Sequence, residues 1–177
     1  CIINELKHAN GRNGLGAVMG SKNLKAIAVK GSKQIQMADF NKVREIARRY
    51  LDGYMDHPLS YGLYNLGTSG TLSTLNEAGM LPTKNFINGV FEGADNINGI
   101  KLNSTILKKR EGCYACAIRC KRAVEVEREG LKVDIKYGGP EYETLAAFGS
   151  LCMVDDLEII AKANELCNKY SLDTIST

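Results

Sequence analysis

The chain has 177 residues, and 44% of them are hydrophobic, which is enough to build a buried core in one domain or in parts of two. Its 23 basic and 20 acidic residues give a formal net charge of +3, which is too small to indicate a nucleic-acid-binding surface. No apolar run reaches the roughly 18 to 20 residues of a membrane span, so we expect no membrane association.

The first predicted elements lie before residue 54. A glycine-rich segment, residues 10–22, predicts a loop, and the alternation of apolar and polar residues from Leu24 to Lys30 predicts a strand. Asp39 is a candidate N-cap for an amphipathic helix that ends near Gly53. Its apolar positions recur at intervals of three and four residues: Phe40, Val43, Ile46, Ala47, Tyr50 and Leu51.

The middle of the chain is rich in turn-forming residues. Residues 58–98 predict a loop-rich region with one short helix around Leu72 and Leu75, closed by Gly79 and Pro82. Residues 104–109 indicate another helical turn.

The last third predicts a hairpin followed by two helices. Residues 123–127 and 131–137 alternate around Gly130, as the two strands of a hairpin do. Pro140 suits the first turn of a helix that runs through Glu143 to Phe148. A second helix is predicted from Asp155 or Asp156 to Tyr170, with a buried face formed by Leu157, Ile160, Ala161, Asn164 and Cys167.

Three of the six cysteines, Cys113, Cys116 and Cys120, follow the spacing C-x2-C-x3-C. Soft thiolates at this spacing select zinc or an iron–sulfur cluster. Zinc sites more often combine two cysteine pairs or add histidines, and His8 and His57 are both distant, so the pattern favours iron–sulfur.

Two other interpretations of the cysteines are weaker. A redox dithiol would leave the third cysteine without a role, and three clustered thiols without a ligand would be prone to oxidation. Crowded cysteines without a disulfide framework indicate a reducing compartment, so we expect a cytoplasmic protein.

The glycine-rich segment does not have the spacing of a nucleotide-binding loop. From the residues alone it is a tight turn, although glycine backbone N–H groups and the Arg12 guanidinium are suited to bind a phosphate.

Five sequence blocks together resemble the tungsten-containing aldehyde:ferredoxin oxidoreductase family. They occur in the family's order and span nearly the whole chain: residues 11–27, residues 81–86, the three clustered cysteines, residues 139–145 and residues 166–176. The resemblance implies an interior fragment of a longer polypeptide.

The fold implied by the resemblance is mainly α with minor β. Residues 1–36 would form the end of an N-terminal β-rich pterin-binding domain. Residues 37–177 would form most of a mainly helical middle domain that carries the iron–sulfur cysteines.

The resemblance also implies the cofactors and their ligands. Two pyranopterins hold tungsten or molybdenum, and a 4Fe–4S cluster takes three ligands from Cys113, Cys116 and Cys120 and a fourth from a region that this sequence lacks. Ala9 would provide a backbone ligand to a magnesium ion that bridges the pterin phosphates, with Gly11 and Arg12 beside it. A pterin-binding loop maps onto Asn168, Leu172 and Asp173, although the family pattern has Asp where this chain has Asn168.

Glu143 maps onto an acidic residue close to the tungsten, where a carboxylate that accepts a proton would assist aldehyde oxidation. From residue type alone, Glu143 and Glu141 are better explained as acidic residues that the helix dipole favours at a helix N-terminus. The surrounding Gly-Pro-Glu-Tyr-Glu sequence favours the catalytic interpretation.

The implied function is oxidation of aldehydes to carboxylic acids, with electrons passing through the cluster to ferredoxin. The expected partners are ferredoxin, a small aldehyde and the rest of the polypeptide, with a homodimer as a candidate assembly. Two alternatives are a non-catalytic iron–sulfur electron-transfer or scaffold module, and a relative that acts on another substrate such as an aromatic thioester.

Overall fold

The structure, a computed structural model, describes residues 1–177 and is mainly α-helical with small antiparallel sheets. The helices α1 to α8 are Leu15–Ser21, Phe40–Gly53, Pro58–Leu66, Thr71–Glu77, Ala94–Ile97, Gly99–Thr105, Tyr142–Phe148 and Leu157–Tyr170. The strands β1 to β6 are Ile2–Asn4, His8–Asn10, Leu107–Glu111, Lys121–Val124, Val126–Arg128 and Leu131–Val133. No helix has both the length and the apolar composition needed to cross a membrane.

The six strands form three separate antiparallel pairs, β1 with β2, β3 with β4, and β5 with β6. In the second pair Glu111 lies opposite Lys121, so residues 112–120 form the loop that joins the two strands. All three clustered cysteines are in this loop, which we call the cysteine loop.

One hydrophobic core holds the second half of the chain together. Its residues come from α4 to α8 and from β4 to β6, and Leu72, Leu102, Leu145 and Ile160 are among the most fully buried. The core positions α7 and α8 beside the β3–β4 pair because both helices bury their apolar faces in it.

The predicted amphipathic helix is confirmed as α2, and the Asp39 carboxylate caps it by accepting from the Lys42 N–H at 2.9 Å. None of its residues is buried, so its apolar face lies exposed.

Two predictions near the N-terminus are wrong. Residues 24–30 form no strand, because no segment of the chain pairs with them and Val29 remains 89% exposed. The second half of the glycine-rich segment is the helix α1 instead of a loop. Gly14, at φ 71°, adopts the left-handed conformation before it, and Ala17 and Met19 within it favour helix.

The middle of the chain contains more helix than expected. The short helix around Leu72 is confirmed as α4, but α3 and α5 were not predicted. The predicted helical turn at 104–109 is wrong beyond Thr105, since residues 107–111 pair with β4 as a strand. Tertiary pairing overrides the local helical pattern here.

The predictions for the last third of the chain agree most closely with the structure. The hairpin is confirmed as β5–β6 with Gly130 at φ 77° in its turn, but it is shorter than predicted, because Ala123 and Val124 belong to β4. Helix α7 begins at Tyr142, two residues after Pro140, and α8 begins after the Asp156 cap and buries all five predicted residues.

Candidate functional site

A cavity of about 320 Å³ lies where the N-terminal hairpin, the cysteine loop, α7 and the C-terminal end of α8 meet. Its lining is mostly polar and is drawn from four parts of the chain: residues 7–9, residues 111–122, residues 138–144 and residues 164–175.

The cavity brings together most of the residues that the sequence singled out. Ala9, Glu143, Asn168, Leu172 and Asp173 all line it. Among the cysteines, Cys113 lines it, whereas Cys116 and Cys120 lie further along the cysteine loop. Arg12 is exposed and does not line the cavity.

Gly11 lies against the end of the chain. A Cβ atom built on Gly11 would collide with the carboxylate of Asp173, with its Cγ only 2.9 Å away. The same carboxylate accepts hydrogen bonds from the Ser176 N–H at 2.9 Å and the Ser176 hydroxyl at 2.6 Å, so it is fixed in place. The predicted N-terminal and C-terminal parts of the site are therefore in direct contact, and a larger residue at position 11 would have to displace the Asp173 carboxylate.

Asn168 and Thr144 are buried in the cavity wall. The Asn168 amide donates to the Tyr137 carbonyl at 2.8 Å, which fixes the orientation of its side chain. The Thr144 and Thr174 hydroxyls lie 2.7 Å apart, joining α7 to the C-terminal segment. Glu143 stands in the first turn of α7 and is exposed.

The cysteine loop presents three free thiols. Cys113 and Cys116 are exposed and Cys120 is half-buried. The loop turns sharply, because the Cys116 N–H donates to the Cys113 carbonyl at 3.1 Å and both Ala115 and Arg119 adopt left-handed conformations, at φ 57° and 51°.

The thiols do not converge on a single point. No group of three or more His, Cys, Asp or Glu side chains is arranged to hold one metal ion. In a four-iron cluster each thiolate binds a different iron, so its sulfurs lie further apart than the ligands of one zinc ion. Three free thiols on one short loop offer the sulfur donors that a cluster takes, and the ligand role of these cysteines stays a prediction.

Two ion pairs, which the sequence did not reveal, connect the base of the cysteine loop to its surroundings. Lys7, in the turn of the N-terminal hairpin, pairs with Glu111, and Lys121 pairs with Glu141 at 2.7 Å. Glu141 also accepts from the Thr68 hydroxyl at 2.6 Å, so its carboxylate serves tertiary contacts and does not cap α7. These partners are far apart in sequence, and no local pattern marks them.

The ionisable groups at the base of the cysteine loop shift one another's pKa values. Burial and the Glu141 carboxylate raise the pKa of the Cys120 thiol, while Lys121 acts in the opposite direction. Burial acts to lower the pKa of Lys121, but the hydrogen bond and charge of Glu141 outweigh it, so the ammonium is favoured. A cation is thus held next to the cysteines.

Arg122 lies beneath the same loop, and only 5% of its surface is exposed to solvent. Its two terminal nitrogens donate to four backbone carbonyls: those of Leu63, Tyr64, Arg119 and Lys121. Its Nε atom is buried and has no hydrogen-bond partner. Arg122 therefore joins the C-terminal end of α3 to the cysteine loop, with one donor left over.

Comparison with known proteins identifies related sequences. The family model described as aldehyde ferredoxin oxidoreductase, domains 2 and 3, matches residues 45–177, and the model of the N-terminal domain matches residues 1–31. Tungsten-containing aldehyde ferredoxin oxidoreductases from Thermococcus kodakarensis and Pyrococcus furiosus are 41% and 40% identical over 177 residues. An aliphatic sulfonate oxidoreductase, WOR-like subunit, from Pyrococcus furiosus is 28% identical over 178 residues. Each alignment covers 99% of this chain and 28% of the relative.

The contact between Gly11 and Asp173 predicts the effect of a single methyl group. We expect Gly11→Ala to displace the Asp173 carboxylate and to break its bond to the Ser176 N–H. The loss of one hydrogen bond, about 1 kcal/mol, should speed amide exchange at Ser176 about fivefold in hydrogen-exchange measurements.

The control is Gly20→Ala, because no atom lies within 4 Å of a Cβ built at Gly20. This substitution should leave exchange at Ser176 unchanged. Equal exchange at Ser176 in the Gly11→Ala variant and the unsubstituted protein would contradict the described contact.

Proposed function

This chain belongs to the aldehyde ferredoxin oxidoreductase family, and we propose that it forms part of a tungstopterin oxidoreductase that oxidises aldehydes to carboxylic acids. The observation that carries the proposal is the convergence of Ala9, Cys113, Glu143, Asn168 and Asp173 on one cavity. The chain spans 28% of the length of the curated relatives, so the rest of the site lies in polypeptide that those relatives have in addition.

In this proposal the cysteine loop holds a 4Fe–4S cluster through Cys113, Cys116 and Cys120. The fourth ligand comes from elsewhere in the complete polypeptide, which makes cluster assembly depend on complete folding. The free, largely exposed state of the thiols supports this assignment, because a fourth ligand needs access to the cluster from outside the loop.

The residues on the opposite side of the cavity are proposed to hold the pterins. Ala9 would offer its backbone carbonyl to a magnesium ion bound with the pterins, and Gly11 and Arg12 lie next to it in sequence. Asn168, Leu172 and Asp173 contribute the wall formed by the end of α8. We assign residues 1–36 to an N-terminal pterin-binding domain and residues 37–177 to the helical domain.

When bound, the tungsten or molybdenum bis-pyranopterin supplies the two-electron redox chemistry of the reaction RCHO + H2O → RCOOH + 2H+ + 2e−. Glu143 is proposed to accept one of the released protons, because its carboxylate is exposed to the cavity at the start of α7. A cluster held by the cysteine loop would carry the electrons to ferredoxin, and the isolated chain is expected to be inactive without the remaining ligands.

One comparison introduces a second candidate substrate class, the aliphatic sulfonates. The relative named as an aliphatic sulfonate oxidoreductase subunit aligns over the same 99% of this chain. Assaying the complete protein with small aldehydes and with aliphatic sulfonates separates the two, and the higher identity to the aldehyde enzymes, 41% against 28%, favours aldehydes.

The cluster assignment predicts different effects for different cysteines. In the complete protein, Cys116→Ser should lose cluster iron, because a serine hydroxyl replaces an anionic sulfur ligand. Cys152→Ala and Cys167→Ala should keep it, since Cys152 donates to the Ala147 carbonyl and Cys167 is buried in α8. Iron analysis and electron paramagnetic resonance of the reduced proteins measure this, and a normal cluster in Cys116→Ser would refute the assignment.

The proton-acceptor role predicts that Glu143→Gln lowers turnover by about 10² to 10⁴-fold with metal and iron contents unchanged. A matched control is Glu129→Gln, which alters an exposed carboxylate in the β5–β6 turn and should retain full turnover. Steady-state reduction of a viologen dye by the complete protein provides the measurement. Full activity of the Glu143→Gln protein would show that Glu143 has only a structural role at the helix N-terminus.

A further inference from the structure

We propose that Arg122 raises the reduction potential of the iron–sulfur cluster, acting from beneath the cysteine loop through its positive charge and its free Nε–H donor. This inference rests on the proposed function, since it assumes the cluster at Cys113, Cys116 and Cys120. It assigns a role to a residue that neither the sequence pattern nor the ligand set singles out.

The first observation is the charge of Arg122. Its guanidinium is buried, and none of the ion pairs in the chain includes it. A buried cation without an anionic partner is costly, and proteins normally pair such groups. Burial and the nearby Arg110 charge lower the pKa of Arg122, while Cys120 and Glu141 act in the opposite direction without a direct bond to the guanidinium.

The second observation is the position of the free donor. A Cβ built on Gly67 would lie 2.7 Å from the Cys120 carbonyl oxygen and 3.3 Å from Arg122 Nε, so both groups face the same point at the end of α3. Gly67 has φ 66°, and its missing side chain allows α3 to approach the cysteine loop this closely. The unpartnered donor and the carbonyl of a proposed cluster ligand thus both face Gly67.

A purely structural role explains only part of this arrangement. The bonds from the two terminal nitrogens to four carbonyls tie α3 to the loop, and a neutral donor would make similar bonds. These bonds do not account for a buried charge with no directly bound anion, nor for the free Nε–H. A cluster with thiolate ligands supplies that negative charge and sulfur acceptors.

The consequence concerns electron transfer. Reduction adds one electron to the cluster, so its negative charge increases. A fixed cation and a hydrogen bond to sulfur stabilise the reduced form more than the oxidised form, which raises the potential. Arg122 therefore makes the cluster a better electron acceptor.

The experiment is a redox titration of the complete, anaerobically prepared protein, followed by electron paramagnetic resonance. Arg122→Gln should lower the equilibrium constant for cluster reduction by about tenfold, which is ~59 mV for a one-electron couple. Arg122→Lys keeps the charge and should recover most of the difference. Arg128→Gln removes the same charge from the β5–β6 hairpin, where Arg128 pairs with Glu158, and should leave the potential unchanged.

A second measurement does not depend on how well the charge-removing variant folds. With nitrogen-15-labelled arginine, pulsed electron paramagnetic resonance of the reduced unsubstituted protein should show an arginine nitrogen coupled to the cluster. The coupling should disappear in Arg122→Lys, and its absence from the unsubstituted protein would contradict the proposed contact.

Other outcomes would also overturn the inference. An unchanged potential in Arg122→Gln with full iron content would show that the charge is irrelevant. Loss of iron from both the Gln and the Lys variants would show that Arg122 only anchors the loop. Absence of a cluster from the unsubstituted protein would refute the proposed function itself. Iron analysis of the unsubstituted protein detects that outcome before any variant is made.

Discussion

The antiparallel pairing of Leu107–Glu111 with Lys121–Val124 is the constraint on which the candidate site depends. It fixes both ends of the cysteine loop, with Glu111 opposite Lys121. Those two side chains then reach in different directions, Glu111 to Lys7 of the N-terminal hairpin and Lys121 to Glu141 before α7. One strand pair thus sets the distance between the cysteines and both other walls of the cavity.

Most of the acidic side chains around this strand pair form ion pairs, whereas Arg110 and Arg122 have no carboxylate within ion-pair distance. Partly buried ion pairs contribute to stability only when both partners and their hydrogen bonds are present, as Thr68 provides for Glu141. Arg122 differs from Arg110 in that its charge is buried, with no carboxylate bound directly to it. The buried cation and the three free thiols lie on the same short stretch of chain, residues 113–122.

Local sequence patterns predicted the elements whose stability is local. Helices α2 and α8 each have a capping aspartate and a regular apolar repeat, and the β5–β6 hairpin has a glycine turn, so each was recognisable. The strand β3 and the predicted strand at 24–30 depend on partners distant in sequence, and both were misjudged. The cysteine spacing and the family resemblance identified six residues that line the cavity, whereas Lys7, Glu111 and Lys121 carry no local signal.

The most direct test of this account is the position of iron in the complete protein. Anomalous X-ray diffraction at the iron edge, on crystals of anaerobically purified protein, locates iron atoms without reference to activity. The account predicts a compact iron peak bonded to the sulfurs of Cys113, Cys116 and Cys120, beside the cavity and above Arg122. Iron bound elsewhere, with these three thiols free or oxidised, would contradict it.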